Sequence, residues 1–338
     1  MKAAIYLGQN HVEIQEIPMP ICGDHDVIVK NIYSSICGTD VAVYTKGPHT
    51  GHRITVGGEF GHETVSRVIA VGNAITDFQV GQRVYPYPRY AKNDTSRAGT
   101  IGGFSEYILI PQAKRNHSLY LIPDEIPDRL ACLIEPFTVG CRAARRGQPR
   151  SGEHAVVFGC GTIGLAAAVA FQYFGMKRVM LCDISDFRLD IAKKLGFAVC
   201  NMKTESFAQK AANYFGTAPS LTGISPNIDC WLDAAGAESV LEHFMQCGKI
   251  DSRLVLVAVN NQPRPLDLLH LTYAQKSIIG SGGYLPEDVQ DVISIMTSKR
   301  WDLESIITQE FPLEQLPQAI QTASCPDQAF NVVIRFDT

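Results

Sequence analysis

His154-Ala-Val-Val-Phe158 runs without a break into Gly159-Cys160-Gly161-Thr162-Ile163-Gly164 and then into Leu165-Ala-Ala-Ala-Val-Ala-Phe171. The first piece is an apolar run of strand length and the last is built from helix formers. Between them lies a G-x-G-x-x-G pattern. Such a pattern alone is a weak signal. Here a second apolar run, 178–182, follows the helix and ends at Asp183, about twenty residues beyond the last glycine, which is the context that gives the pattern meaning. The stretch predicts a β-α-β unit of a parallel sheet.

The alternation continues outward. Residues 187–195 read as a helix stopping at Gly196, 228–232 and 254–259 as strands, and 238–247 between them as a helix. This implies an α/β fold, a doubly wound Rossmann sheet with helices on both faces. The first 110 or so residues read differently. Short apolar runs at 26–32, 64–71, 83–87 and 104–110 are punctuated by Gly57-Gly58, Gly72-Asn73 and Gly102-Gly103, with no long amphipathic helix before about residue 127. After about residue 282 the alternation stops. Residues 286–299 form an amphipathic pattern with Val289, Val292, Ile293 and Met296 on one stripe, and 331–336 read as a terminal strand. The expected division is 1–137, 138–280 for the Rossmann unit, and 281–338 returning to the first. There is no internal repeat.

Composition agrees with two packed units and excludes other classes. The chain has 338 residues, 46% apolar and 19% charged, enough to bury a sizeable core and too apolar for global disorder. Thirty basic and thirty-four acidic residues leave a net charge of −4, a poor match to a phosphate-tracking surface, so no nucleic acid partner is expected. No apolar run approaches the roughly 18 residues needed to span a bilayer. Met1-Lys2-Ala3-Ala4-Ile5-Tyr6-Leu7 soon meets Gln9, Asn10 and Glu13 and has no signal-peptide core. The expectation is a soluble cytoplasmic protein without a membrane partner. None of the ten cysteines forms a C-x-x-C pair, and several, such as Cys182 and Cys230, sit in apolar runs. They read as free, packed thiols of a reducing compartment, with Cys37 as the exception.

Each glycine of the fingerprint has a mechanical reason. Gly159 permits the tight turn, Gly161 lets a pyrophosphate approach the backbone, and Gly164 lets helix and strand pack closely. Thr162 and Ile163 open the helix, whose N-terminus offers N–H groups and a positive dipole end to phosphates. Asp183 is placed to accept hydrogen bonds from an adenosine ribose. Its charge repels a 2′-phosphate, and Ile184-Ser185 rather than an arginine follow, so the expected cofactor is NAD rather than NADP.

Four segments carry candidate metal ligands. Ile36-Cys37-Gly38-Thr39-Asp40 offers a thiolate, Gly57-Gly58-Glu59-Phe60-Gly61-His62-Glu63 an imidazole beside a carboxylate, and Leu133-Ile134-Glu135-Pro136 another carboxylate. All three donor types suit zinc in a tetrahedral site with an open position, and Asp40 could orient His62 from behind. Spacing does not establish the site. A lone buried histidine or cysteine is more often packing than ligand.

Cys-Gly-Thr-Asp, Gly-His-Glu, Gly-Gly-Phe-Ser-Glu-Tyr, Ile-Glu-Pro, Gly-Cys-Gly-Thr-Ile-Gly, Asp183-Ile-Ser-Asp-Phe-Arg-Leu and Gly280-Ser281 stand in the order found in zinc-dependent medium-chain alcohol and polyol dehydrogenases. The resemblance spans nearly the whole chain. It is closest to the sorbitol- and threonine-dehydrogenase-like branch, because a Glu-Pro pair stands where classical alcohol dehydrogenases have a cysteine ligand. It implies a GroES-like β domain carrying zinc, a Rossmann domain carrying NAD, and a substrate cleft between them. Cys37 and His62 match zinc ligands. Glu63 and Glu135 share the remaining role, one binding directly while the other holds the zinc-bound water. Arg188 matches a basic residue near the adenosine, and Thr39 a hydroxyl that takes the substrate proton into a relay through the cofactor ribose as hydride moves to the nicotinamide. Without the resemblance, Thr39 reads as a turn hydroxyl bonded to its own backbone. The family's oligomers imply a homodimer or homotetramer.

The chain also departs from the pattern. The structural zinc of the family needs four clustered cysteines after the segment here written Gly81-Gln82-Arg83-Val84, and residues 85–103 contain none, so one catalytic zinc and no structural zinc are expected. Ala42 stands where many relatives place a proton-passing histidine, so the proton leaves by water or by a residue such as His49 or His52. Ser66 replaces a usual glycine and Asn331 a usual lysine. The substrate class implied is a secondary alcohol: a polyol, sugar acid or similar polyhydroxy compound. Tyr44, Tyr85, Tyr87, Arg89 and Arg97 read as loop residues able to face it, the arginines suited to a carboxylate or phosphate. Two alternatives stand beside this dehydrogenase reading: a zinc-free quinone-type reductase of the same superfamily, and a non-catalytic NAD-sensing protein.

Overall fold

The computed structural model describes residues 1–48, 50, 54–91, 101–260 and 262–337. His49, His52 and Arg97 lie outside the described residues. The chain divides into two compact units, Met1–Glu135 with Met296–Thr338, and Pro136–Ile295.

The second unit is built on six parallel strands. Their spatial order is Ala198–Asn201, Arg178–Asp183, His154–Phe158, Cys230–Asp233, Arg253–Leu256 and Ser277–Gly280. Counting strands along the chain, this is the 3-2-1-4-5-6 order of a doubly wound sheet, as the alternation predicts. The chain reverses direction across the sheet between His154–Phe158 and Cys230–Asp233, and the carboxyl ends of strands at such a switch point are where nucleotides bind. Trp231 is fully buried, stacked on Phe158 with ring centroids 5.8 Å apart and edge-on to Phe207 and Phe244. The helix Pro286–Thr297 buries Val289, Val292 and Met296. Arg145 binds Asp288 at 2.7 Å and also pairs with Asp291, both on that helix. This ionic tie holds residues 281–295 to the Rossmann unit, so the second boundary falls at Ile295, later than the expected 280.

The first unit is β-rich. A seven-stranded sheet runs Ile307–Pro312, Asn331–Arg335, Val27–Ser35, Glu63–Val71, Arg83–Pro86 and Leu119–Leu121, with Tyr107–Ile110 also pairing Val27–Ser35. A smaller sheet joins His11–Glu16, Lys2–Gly8 and Gly58–Glu59. The helix Gly38–Lys46 interrupts this part and carries no sequence signal strong enough to be expected. Its N-cap is Cys37, and the Asp40 carboxylate accepts the Cys37 backbone N–H at 3.0 Å, the role an acidic third residue plays in a capping box.

Tyr44, Tyr85 and Tyr87 are buried in the core rather than exposed, Tyr44 on a helix, Tyr85 on a strand and Tyr87 just after that strand ends. Tyr44 packs in a cluster with Tyr6, Phe60 and Phe104, and Tyr85 and Tyr87 surround Tyr120 with ring centroids 6.0 and 6.2 Å away. Phenol rings bury too much apolar area to be left in solvent when an aromatic neighbour is at hand. Arg89 is exposed and lies over the Tyr90 ring. Among the described residues, no helix is long and apolar enough to cross a membrane.

Candidate functional site

Two glycines seat His62. Gly61 has φ +89°, and a Cβ there would lie 2.7 Å from the Phe104 ring. A Cβ on Gly103 would lie 2.8 Å from the His62 backbone nitrogen. Only glycine at both places lets the 101–104 segment close over the chain as it enters the strand Glu63–Val71. That strand then carries Glu63 as its first residue, pairing antiparallel with Ser35 at the end of Val27–Ser35. Cys37 follows two residues later, at the N-cap of the helix Gly38–Lys46.

The chain turns so made brings the donor atoms of Cys37, His62 and Glu63 within 4.8 Å of one another. Donors that share a zinc ion at about 2.0–2.3 Å stand roughly 3–4 Å apart, so the trio fits one ion with small adjustments. Thiol, imidazole and carboxylate are moreover a donor set that zinc accepts. Glu135 is buried in the first turn of the helix Ile134–Arg146, and its charge is felt at Cys37 and Asp40, yet it is not one of the converging trio.

Burial dominates the electrostatics. It pushes the Asp40 carboxyl up to about 7, against the Cys37 N–H bond that favours its ionised form. Burial likewise raises Glu63, opposed by a hydrogen bond from Ser35 and increased by Asp40. The Cys37 thiol is pushed well up, first by burial and then by the charges of Glu63, Asp40 and Glu135. Three acids and a thiol crowded into one buried volume resist ionising together, and a divalent cation is the group that reverses this. Among the described residues Asp40 Oδ1 is buried without a hydrogen-bond partner, and it lies 3.8 Å from His62 Nδ1. The Thr39 hydroxyl is shielded from solvent beside the Cys37 sulfur, whose ionised form it favours.

Two departures that the sequence left without a consequence acquire one here. Ser66 donates to Asn31 Oδ1 at 2.7 Å, alongside Thr64 at 3.0 Å, while the Asn31 amide donates to the Ser105 carbonyl at 2.7 Å. Asn31 thus ties the strands to the segment that covers His62. Asn331, from the last strand, donates to the Ser35 hydroxyl at 3.3 Å. No local pattern marks Ser35, Asn31 or Asn331. Their roles come from strand pairings between distant parts of the chain.

In the second unit the glycine loop makes a tight, closely packed turn. Gly159 has φ +96°, and a Cβ there would lie 2.8 Å from the Ala235 nitrogen, at the neighbouring switch-point strand. A Cβ on Gly164 would lie 1.8 Å from the Gly159 carbonyl oxygen. Gly161 caps the helix Thr162–Tyr173 and has no side chain to occupy its first N–H groups, which Thr162 and Ile163 begin. Arg188 lies across this turn, 3.1 Å from where a Gly161 Cβ would stand. Asp183 accepts the Cys160 N–H at 2.6 Å through Oδ2, and the Ile184 and Ser185 N–H groups at 2.7 and 2.9 Å through Oδ1. Oδ2 accepts one N–H and retains a lone pair.

Residues 23–124 match the alcohol dehydrogenase GroES-like domain family, and residues 162–298 the zinc-binding dehydrogenase family. The chain belongs to the zinc-dependent medium-chain alcohol and polyol dehydrogenases. This dehydrogenase is 27% identical over 322 residues to the L-threonine 3-dehydrogenase of Anaeromyxobacter dehalogenans, covering 90% of this chain and 89% of that one. It is 27% identical over 342 residues to the sorbitol dehydrogenase of Bacillus subtilis, covering 96% and 93%. Its fold matches the crystal structure of 2R,3R-butanediol dehydrogenase from Bacillus subtilis with a TM-score of 0.85, at 23% identity and 99% coverage of both chains. The dehydrogenase is an oxidoreductase of alcohols, and neither the zinc-free reductase nor the non-catalytic sensor is favoured.

Proposed function

We propose that this dehydrogenase uses one zinc ion and NAD to oxidise a secondary alcohol of the polyhydroxy class, a polyol or sugar acid, and to reduce the corresponding ketone. The observation that carries the reading is the convergence of the Cys37, His62 and Glu63 donor atoms within 4.8 Å. These three side chains would hold the zinc, with Glu135 as the nearby carboxylate left for water or substrate. Bound there, zinc supplies Lewis acidity that lowers the pKa of an alcohol hydroxyl, and the nicotinamide supplies the hydride acceptor.

The chain's own residues do the rest. Thr39 Oγ1, shielded from bulk water, takes the hydroxyl proton and gives up its own to the cofactor ribose hydroxyl, from which a proton leaves to solvent. The Asp40 charge favours a fixed orientation of His62. The N-terminus of Thr162–Tyr173 holds the pyrophosphate, with Arg188 over the turn, and Asp183 holds the ribose and repels a 2′-phosphate, which supports NAD over NADP. A single zinc is supported by the lack of cysteine in residues 85–103. The names of the relatives, threonine, sorbitol and butanediol dehydrogenase, support the substrate class. A homodimer or homotetramer is supported by the edge strand Ser277–Gly280 and by the exposure of Leu268, Leu269 and Tyr273 on the helix that precedes it in the chain. We place the enzyme in the cytoplasm.

The test is a screen of NAD reduction against polyols, sugar acids and amino alcohols with zinc-replete and chelated enzyme. Cys37→Ser abolishes turnover and leaves NAD binding intact. Full turnover in that variant refutes the zinc site.

A further inference from the structure

Ser35 and Asn331 lie behind Glu63, one of the donor trio, in the same sheet. Ser35, Glu63 and Asn331 come from three of its strands, and all three are buried, with exposures of 0, 2 and 4%. Ser35 stands directly opposite Glu63 on one side and opposite Val333, in the strand that Asn331 opens, on the other. The Asn331 amide donates to Ser35 Oγ at 3.3 Å, and Ser35 faces Glu63 across the strand pair, where its hydroxyl favours the ionised carboxylate. A hydroxyl owns one proton. Once Ser35 Oγ accepts from an amide N–H, its proton is committed to the remaining partner, so the chain of donation runs one way, from Asn331 through Ser35 to Glu63. The Asn331 main chain is held in turn, its backbone carbonyl accepting the Thr308 hydroxyl at 3.3 Å.

We propose that Asn331 and Ser35 are positioning residues for Glu63: they tie up one of its carboxylate oxygens and so present the other to the ion shared with Cys37 and His62. Glu63 Oε1 lies 4.0 Å from His62 Nε2, on the side where that ion would sit. A carboxylate on a free side chain can swing between one-oxygen and two-oxygen binding. One whose far oxygen is hydrogen-bonded to a fixed hydroxyl is held to one-oxygen binding. The relay is made of neutral groups. It orients Glu63 without adding positive charge next to the ion, which a lysine at position 331 would do. The inference rests on the reading of Cys37, His62 and Glu63 as the zinc ligands.

Cobalt(II) reports on it without turnover. The chelator-stripped enzyme is titrated with cobalt(II), and both the visible d–d bands and the affinity by chelator competition are read. Wild type takes up one ion with a thiolate-to-cobalt charge-transfer band. Its failure to do so sinks the ligand reading and the relay with it. Ser35→Ala weakens cobalt binding by about tenfold or more and shifts the d–d bands, the scale of loss found when the partner of a metal ligand is removed. Ser35→Thr, which keeps the hydroxyl, restores both. In a Glu63→Gln background, Ser35→Ala causes no further loss. Should Ser35→Ala not fold, Asn331→Ala shows the same band shift in smaller degree. Wild-type charge transfer together with unshifted bands in Ser35→Ala or Asn331→Ala, or an equal loss in the Glu63→Gln background, overturns the relay while leaving the ligand set in place.

Discussion

Asp40 Oδ1 lies 3.8 Å from Nδ1 of His62, while its other oxygen accepts the Cys37 backbone N–H at 3.0 Å. One carboxylate therefore faces both a candidate ligand ring and the backbone of a candidate ligand cysteine. The two duties separate by substitution. Asp40→Asn keeps an acceptor for the Cys37 N–H and removes the charge beside His62. It lowers zinc affinity about 10–100-fold with little change in metal-free stability. Asp40→Ala loses the helix cap too, and costs about a further 1 kcal/mol of stability. Zinc competition titrations and urea unfolding of the stripped proteins measure the two effects. Equal zinc affinity in wild type and Asp40→Asn would show that Asp40 serves the cap alone.

Stability without metal falls as pH rises. Asp40 is held at about 7 in the fold, against an ordinary value of 3.8, chiefly by burial. A raised carboxyl pKa means that the folded state binds the proton more tightly than the unfolded chain. The contribution is complete below the ordinary value and is lost as pH climbs through about 7, and Glu63 shifts in the same direction. Metal binding displaces these protons and that of Cys37, so zinc affinity rises over the same window. Thermal unfolding from pH 5 to 8.5 gives a difference in Tm between zinc-loaded and stripped enzyme that widens with pH. A difference that stays constant or narrows contradicts the buried-acid account.

Gly164 and Gly161 fail in different ways when enlarged. A methyl on Gly164 meets the Gly159 carbonyl oxygen at 1.8 Å, which is backbone and cannot step aside. Gly164→Ala destabilises the Rossmann unit by about 1–3 kcal/mol, the cost of forced overpacking. A methyl on Gly161 meets only the tip of Arg188 at 3.1 Å, and a guanidinium on a flexible stem can move. Gly161→Ala therefore unfolds within about 1 kcal/mol of wild type and shows its effect in weakened cofactor binding instead, because the methyl stands where the pyrophosphate approaches. Denaturant midpoints and cofactor titrations of the two variants distinguish them, and identical losses of stability would contradict the geometry.

The difference between these glycines was legible in the sequence because the fingerprint is local: strand, turn and helix follow one another, and each glycine's neighbours are within a few residues or at one adjacent strand. The parallel sheet was legible for the same reason. Gly38–Lys46 was not, since its cap is a cysteine and its residues, Thr39, Val41, Val43 and Thr45 among them, are β-branched and favour strand. The boundary at Ile295 has no local signal, because what holds residues 281–295 to the Rossmann unit is Arg145 on Asp288 and Asp291, a pairing across more than a hundred residues. In the candidate site, the types of donor were readable and their meeting was not. Cys37, His62 and Glu63 are brought together by the register of Val27–Ser35 with Glu63–Val71 and by the closeness of Gly61 to Phe104. Ser35, Asn31 and Asn331 owe their places wholly to that register.

Asp183 has to satisfy its own loop before it can choose a cofactor. Three backbone N–H groups, of Cys160, Ile184 and Ser185, point at its carboxylate at 2.6–2.9 Å. They fix it at the end of Arg178–Asp183, where an adenosine ribose would reach the switch point. A hydroxyl there can donate to the remaining Oδ2 lone pair, whereas a 2′-phosphate meets a fixed negative charge. Asp183→Ser removes that charge and leaves a shorter acceptor. It weakens NAD binding roughly tenfold, the loss of about one charge-assisted hydrogen bond. It strengthens NADP binding relative to NAD, because Arg188 already lies across the same turn and can meet the phosphate. The loop contacts of Asp183 are lost as well, so stability falls by an amount that the NAD titration must be corrected for. Asp183→Asn removes the charge while keeping one acceptor oxygen for the Ile184 and Ser185 N–H groups, at the cost of the Cys160 N–H bond. Fluorescence titrations with NADH and NADPH on both variants give the ratio directly. If neither variant alters the NADH to NADPH affinity ratio, Asp183 is a loop anchor and cofactor choice is made elsewhere.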